Sequence, residues 1–425
     1  MTARPRAAIV VTGSELVRGE RNDRNGPFLA SEALSHGLEP ARITIVGDAP
    51  EELEAVLREG LEADACLVSG GLGPTHDDRT VELLARAAGV DLVVDEELER
   101  EIGAVSRAVA ERLGRPYADF EPGVRKQATR PVSAVSIGLA GTAPGLVLRA
   151  PGGCVVVVLP GPPPELQRLW PGALTSEPMR ELLARTQAPG RRVLRLFGVS
   201  ESAVARALAE AGGDGGGVEA TICARDFEIH VDFVVEPGAD ERADALQAAL
   251  AERLAPAVFA RDERPVEELV LSLCRSSGLV LATAESCTGG MVAARITRVP
   301  GSSDVFVGGV VAYANEAKLA ELDVPAELLE RHGAVSPEAA EAMADGARLR
   351  LGADVAVAVT GVAGPGGGSP EKPVGRVHLH AAAPGGSLAR MLDVPGDRDQ
   401  VRARATVSAL HLLRALLTRI PDEAV

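Results

Sequence analysis

No apolar run in this chain approaches about 18 residues without a break, so no membrane-spanning helix is expected. The opening Met-Thr-Ala-Arg-Pro-Arg lacks the apolar core of a signal peptide, and the expected location is the cytoplasm. The five cysteines are scattered and odd in number, with no Cys-x-x-Cys pair. That fits free thiols in a reducing compartment and indicates no structural zinc. Positive charge is short too: 44 Lys and Arg stand against 60 Asp and Glu, a net charge of −16. Such a surface argues against non-specific binding to nucleic acid or an anionic membrane. Internal repeats are absent, and the only low-complexity piece is the Gly-Gly-Asp-Gly-Gly-Gly of residues 212–217.

What is present is a globular composition, 46% hydrophobic and 24% charged over 425 residues, a length that suggests two or three domains. Residues 1–173 alternate β-branched runs with helical stretches, the pattern of a parallel α/β sheet. Strands are predicted over 7–12, 42–46, 65–69 and 155–159, and helices over 25–36, 51–62 and 81–88. Residues 176–256, with two strands around a helix at 201–211 and another helix at 240–254, read as a small α+β module. Pro256 and Pro265 bracket the passage into a C-terminal α/β domain, 262–425.

The chemistry concentrates in that last domain. A strand predicted over 279–284 and a helix over 291–297 put Ser286 at a strand-to-helix turn, where backbone N–H groups can hold an anion or oxyanion. No histidine lies nearby in sequence, but Tyr313 and Lys318 follow a second strand at 305–312. A desolvated lysine can take a serine proton in place of histidine, which points to a serine/lysine amide hydrolase. The plain alternatives are that Ser286 only caps a helix and Lys318 is solvated. Cys287 is a rival nucleophile, though a catalytic cysteine needs a source of positive charge to form thiolate. His332 reads as a helix C-terminus. After a strand at 354–359, the loop Thr360-Gly361-Val362-Ala363-Gly364-Pro365-Gly366-Gly367-Gly368 can bring backbone N–H groups to a phosphate.

Residues 265–420 resemble the C-terminal domain of the CinA family (competence/damage-inducible protein A), which is similar to bacterial nicotinamide mononucleotide deamidases. The resemblance rests on Ala-Glu-Ser-Cys-Thr-Gly-Gly (284–290), Val-Pro-Gly-Ser-Ser (299–303), Gly-Gly-Val-Val-Ala-Tyr-Ala-Asn-Glu-Ala-Lys (308–318), His-Gly-Ala-Val-Ser (332–336), the 359–368 loop, Glu-Lys-Pro-Val-Gly (371–375) and Pro-Gly-Asp-Arg (395–398). It implies that Ser286, Lys318, Tyr313 and Arg398 are catalytic, with Tyr313 supporting the proton relay and no cofactor. Thr288, Gly289, Gly290, Ser303, Thr360, Gly361, Gly364 and Gly366 are the expected substrate contacts.

The N-terminal domain resembles the molybdopterin-binding MoaB/MogA fold found at the front of CinA proteins. Thr12-Gly13-Ser14-Glu15-Leu16, Asn25, Val46-Gly47-Asp48, Gly70-Gly71-Leu72-Gly73-Pro74-Thr75-His76-Asp77-Asp78 and Leu159-Pro160-Gly161 carry the resemblance. It implies ADP-ribose pyrophosphate hydrolysis, with Thr12, Gly13, Ser14, Gly70, Gly71 and Gly73 at the substrate. Glu15, Asp48, Asp77 and Asp78 would hold a divalent Mg, Mn or Co ion, unless they only cap helices, as Asp78 could. The 176–256 module is similar to the KH-like insert of CinA proteins; Gly212-Gly213-Asp214-Gly215 puts an Asp where a nucleic-acid phosphate would sit, so a spacer or oligomerisation element is expected. The implied protein is a bifunctional enzyme of pyridine-nucleotide salvage acting on small nucleotides as a homodimer. The competing expectation is a non-catalytic pterin-binding-type scaffold in competence or DNA-damage response.

Overall fold

The computed structural model describes residues 4–419, so residues 1 and 425, at the ends of the first and last expected domains, lie outside the described residues. The chain forms two compact units, one running to Gly190 and including Glu236–Gly238, the other holding Arg191–Val235 and everything from Ala239.

The first unit contains β1 (Arg6–Thr12), β2 (Glu39–Val46), β3 (Ala65–Ser69), β4 (Leu92–Val94), β5 (Thr129–Pro131), β6 (Val135–Ala140), β7 (Ala143–Arg149) and β8 (Val155–Leu159). Its main sheet has the order β2-β1-β3-β8-β7-β6. The first four strands run parallel, β7 pairs antiparallel with β8, and β6 pairs antiparallel with β7. Strands β3 and β8 are buried along their whole length, as apolar runs covered by helices on both faces must be. One face packs Leu29, Leu67, Val157 and Trp170, the other Leu57, Val68, Leu84 and Val158. The helix Glu177–Leu183 inserts Met179 and Leu182 into the first of these cores. Residues 176–190 therefore belong to the N-terminal core, and the small module starts at its first strand instead.

In the second unit that module is the four-stranded sheet β10-β11-β9-β12, from β9 (Gly190–Leu196), β10 (Val218–Arg225), β11 (Glu228–Val235) and β12 (Val258–Ala260). Its core is Leu194, Val231, Phe233 and Leu246. The remaining strands are β13 (Leu281–Glu285), β14 (Phe306–Val311), β15 (Val355–Gly361), β16 (Arg376–Ala383) and β17 (Gly386–Asp393), in the order β14-β13-β15-β16-β17. The first three are parallel, with Glu285 opposite both Val311 and Val359. Three strand ends thus release their loops side by side. In open α/β sheets that carboxyl edge is where ligand sites are built. Among the described residues no helix is long and apolar enough to cross a membrane.

Candidate active site

The carboxyl edge of β14, β13 and β15 gathers most of the predicted C-terminal residues. Ser286 follows β13 directly and its N–H stays in the sheet ladder, donating to Val359 O at 2.9 Å. The helix after it, Met291–Thr297, is capped by Gly290 and not by Ser286. The serine is thus a nucleophile candidate and not a cap. Gly289 and Gly290 hold φ of +61° and +94°, left-handed turns that free the chain to enter the helix.

Lys318 sits on the helix Asn315–Leu322 after β14 and is 1% exposed. Its Nζ lies 3.1 Å from Ser286 Oγ, 2.8 Å from Ala312 O and 3.3 Å from Tyr313 O. Burial lowers its pKa from the ordinary lysine value. A neutral amine has two N–H groups and one lone pair. Two carbonyls and one serine hydroxyl are the partners such an amine needs, with the lone pair facing the hydroxyl proton.

Cys287 is buried, and burial pushes its thiol up to about 11, so no thiolate stands beside Ser286 at neutral pH. Among the described residues the N–H groups of Cys287 and Thr288 have no acceptor, whereas Gly289 N–H is taken by Ser286 O. Two unspent donors therefore follow the nucleophile in the chain. Tyr313 is 58% exposed, and its hydroxyl accepts from Arg398 Nη2 at 2.7 Å. The tyrosine reaches Lys318 only through its backbone carbonyl, so its hydroxyl is not a link of the Ser–Lys pair. Arg398 also donates to Gly364 O at 2.8 Å and ties the Gly-rich loop to the same edge.

Within that loop Thr360 is buried and its hydroxyl donates to Ala334 O, which leaves it a structural part. A Cβ at Gly361 would stand 2.7 Å from Arg376 O and one at Gly364 2.6 Å from Val374, so both glycines serve close packing. Gly366 faces open space. Ser303 is a miss: it is exposed and precedes β14, at the opposite end of the parallel strands from Ser286. Two partners of the nucleophile loop are absent from the sequence reading, Glu285 beneath it and Arg402 beside it. Arg402 carries one usable signal, since it follows Arg398 by four residues and shares its helix face.

In the N-terminal unit the predicted residues divide. Thr12, Glu15, Asn25 and Gly161 line a cavity of about 600 Å³ with Arg21 and Arg24, two cations the sequence reading passes over. Gly71, Gly73 and Asp78 line a different cavity of about 190 Å³ with Lys126. Gly13 N–H donates to Val46 O, and Gly70 approaches β1 so closely that a Cβ would lie 2.5 Å from Thr12 O. The Asp48 carboxylate accepts from Thr12 Oγ1 at 3.1 Å, Ser14 N at 3.0 Å and Ser14 Oγ at 2.6 Å. Asp77 and Asp78 both accept from the Thr75 hydroxyl, and Asp78 caps no helix, because Arg79 holds that position. The four acids therefore do not converge, and among the described residues no three His, Cys, Asp or Glu side chains gather to hold an ion.

Residues 263–417 match the family model described as "CinA C-terminal domain", and residues 8–177 match one described as "Probable molybdopterin binding domain". A CinA-like protein of Mycolicibacterium vanbaalenii is 45% identical over 420 residues, covering 97% of this chain and 99% of its own. Another, from Mycobacterium tuberculosis, is 44% identical over 435 residues, 99% of each chain. The crystal structure of competence/damage inducible protein CihA from Agrobacterium tumefaciens is 44% identical, covers 37% of this chain and 99% of its own, and has a TM-score of 0.35. Likeness at this level over nearly the whole length assigns the family: the chain belongs to the CinA-like proteins, with a MoaB/MogA-like N-terminal domain and a CinA C-terminal domain.

Proposed function

We propose that the C-terminal domain hydrolyses the carboxamide of nicotinamide mononucleotide to nicotinate mononucleotide and ammonia. The observation that carries this reading is Lys318 Nζ, buried, depressed in pKa and 3.1 Å from Ser286 Oγ. Neutral Lys318 takes the Ser286 proton as Oγ attacks the amide carbon. The N–H groups of Cys287 and Thr288 receive the oxyanion of the tetrahedral intermediate. The Lys318 ammonium, held by Ala312 O and Tyr313 O, returns the proton to the leaving nitrogen, and the C–N bond breaks to give an acyl ester on Ser286. Water, deprotonated by Lys318, then hydrolyses the ester. Arg398 and the open part of the Gly-rich loop supply donors for the substrate's phosphate. A scaffold would gain nothing from burying a lysine against its desolvation penalty.

For the N-terminal domain we propose ADP-ribose pyrophosphate hydrolysis, with Arg21 and Arg24 facing the phosphates in the larger cavity. Those arginines would neutralise the charge that develops on the phosphate oxygens as the pyrophosphate breaks.

The deciding experiment incubates the purified protein with nicotinamide mononucleotide and follows ammonia. Release should stop in Ser286→Ala, persist largely in Cys287→Ala, and be unaffected by EDTA, since proton transfer and backbone donors need no cation. No release from the wild-type protein, or loss confined to the cysteine variant, overturns the Ser/Lys reading.

A further inference from the structure

Two charged groups that touch the nucleophile loop take no part in the proton transfer. Glu285, the last residue of β13, is 1% exposed, and among the described residues its carboxylate has backbone donors for partners. It accepts from Gly290 N at 3.0 Å, Val292 N at 3.0 Å and Ala293 N at 2.9 Å. These are orphan donors at the start of a helix, and a carboxylate there is matched by the local dipole. Arg402, in the second turn of the helix Arg398–Leu417, donates Nε to Cys287 O and Nη2 to Thr288 O, each at 3.1 Å.

Peptide planarity turns these contacts into an orientation. In a trans peptide the C=O and the following N–H point to opposite sides. Holding Cys287 O against Arg402 therefore aims the Thr288 N–H away from that helix. Ser286 O is likewise fixed by Gly289 N–H at 3.0 Å, which sets the plane that carries the Cys287 N–H. Glu285 meanwhile consumes the donors of Gly290, Val292 and Ala293, and the Met291 N–H goes to Thr288 O. What is left without an acceptor among the described residues is the pair at 287 and 288, next to Ser286 in the chain.

We propose that Glu285 and Arg402 are positioning residues that lock the Ser286 loop so that the Cys287 and Thr288 N–H groups stand ready for the oxyanion. The inference rests on the amide-hydrolase reading of the site. Neither group touches the reacting atoms. The guanidinium fork fits two successive carbonyls at once, which a lysine ammonium on a flexible stem cannot do with the same rigidity. A glutamine at 285 keeps the shape but turns an NH₂ toward donors.

The test is steady-state kinetics on the full chain with Arg402→Ala, Arg402→Lys and Glu285→Gln. Misplacing a reacting geometry by about 1 Å can remove about 100-fold in rate. Arg402→Ala should lose about 10- to 100-fold in kcat with KM changed less than about three-fold, and Arg402→Lys should recover part of the loss. Amide hydrogen exchange over residues 286–293 should quicken in Arg402→Ala and Glu285→Gln while the thermal midpoint holds. A kcat within two-fold of wild type in both, or a KM rise that accounts for the whole loss, overturns the proposal. If Arg402→Ala does not fold, Arg402→Lys carries the kinetic test. Should the wild-type protein release no ammonia, the parent reading falls, and exchange then decides alone: unchanged rates at 287–289 in both variants overturn the clamp as well.

Discussion

Lys318 carries the burden of the site because a lysine buried to 1% exposure gives up hydration that an ammonium strongly prefers. The loss lowers its pKa, and the sign of the consequence is fixed. As a base Lys318 works unprotonated, so kcat/KM should rise with pH on a limb centred below the ordinary lysine value of about 10.4. Lys318→Met should remove the limb and lower kcat by about 10²- to 10⁴-fold, the range of a general base. A limb unchanged in that variant would assign the proton transfer to another group. Ser286, Lys318, Tyr313 and Arg398 were readable because each sits in a compact block with its own signature. Glu285 and Arg402 were not, since their meaning lies in hydrogen bonds: Arg402 grips a carbonyl 115 positions away. Ser303 and the four acids lie apart for the opposite reason. They lie near informative blocks in sequence, but strand direction sends Ser303 to the far edge, and Glu15 and Asp78 line different cavities.

At the scale of elements, apolar runs translated directly: the strands expected over 65–69 and 155–159, and the helix over 291–297, fall on those residues. No strand is expected after Val359, yet β16 pairs with β15. Its Val377, Leu379 and Ala381 face one core while His378 and His380 occupy the other buried face, and polar residues on a second buried face conceal a strand from a hydrophobicity reading. The helix Arg398–Leu417 shows what an element does for the site. Asp397 and Gln400 close a capping box, with Gln400 N donating to Asp397 Oδ1 at 2.9 Å and Asp397 N to Gln400 Oε1 at 3.1 Å. Arg398 is the first residue inside that cap, so the cap sets where its guanidinium begins. Asp397→Ala should cost about 0.5–2 kcal/mol of stability. Its KM should rise more than its kcat falls, because Arg398 faces the substrate and not the proton transfer. Equal KM in the two proteins would show that the loop alone, through Gly364, holds Arg398.

At the scale of the whole second unit, the sequence suggests that a fragment starting near Pro265 should stand alone, and every C-terminal site residue does lie after that point. The helix Arg398–Leu417 nevertheless has a second neighbour. His411, 3% exposed, stacks on Phe197 at 3.9 Å between ring centres and meets Phe259 edge-on at 4.7 Å. Its Nε2 lies 2.7 Å from Glu228 Oε1, so a module strand and the last long helix share a buried contact. Burial pushes the Glu228 carboxyl up, but His230 at 3.5 Å and the hydrogen bond from His411 outweigh it and bring the group down to about 2. Burial also lowers the His411 pKa, leaving a neutral imidazole that donates to an ionised carboxylate. Both groups bind protons more readily unfolded than folded, so acid should weaken the contact. The His411 share is lost as pH falls below about 6.5, and the Glu228 share from about 4.3 down through about 2. A fragment of residues 191–425 should therefore be more stable at pH 7 than one of residues 262–425. The difference should be about 2–4 kcal/mol, from one charge-assisted hydrogen bond and the aromatic contacts. Lowering the pH to 4 should narrow that gap, and the two fragments should deamidate at similar rates throughout. Equal unfolding midpoints at pH 7 would show that the helix gains nothing from the module, and a gap that widened in acid would mean that His411 enters the contact charged.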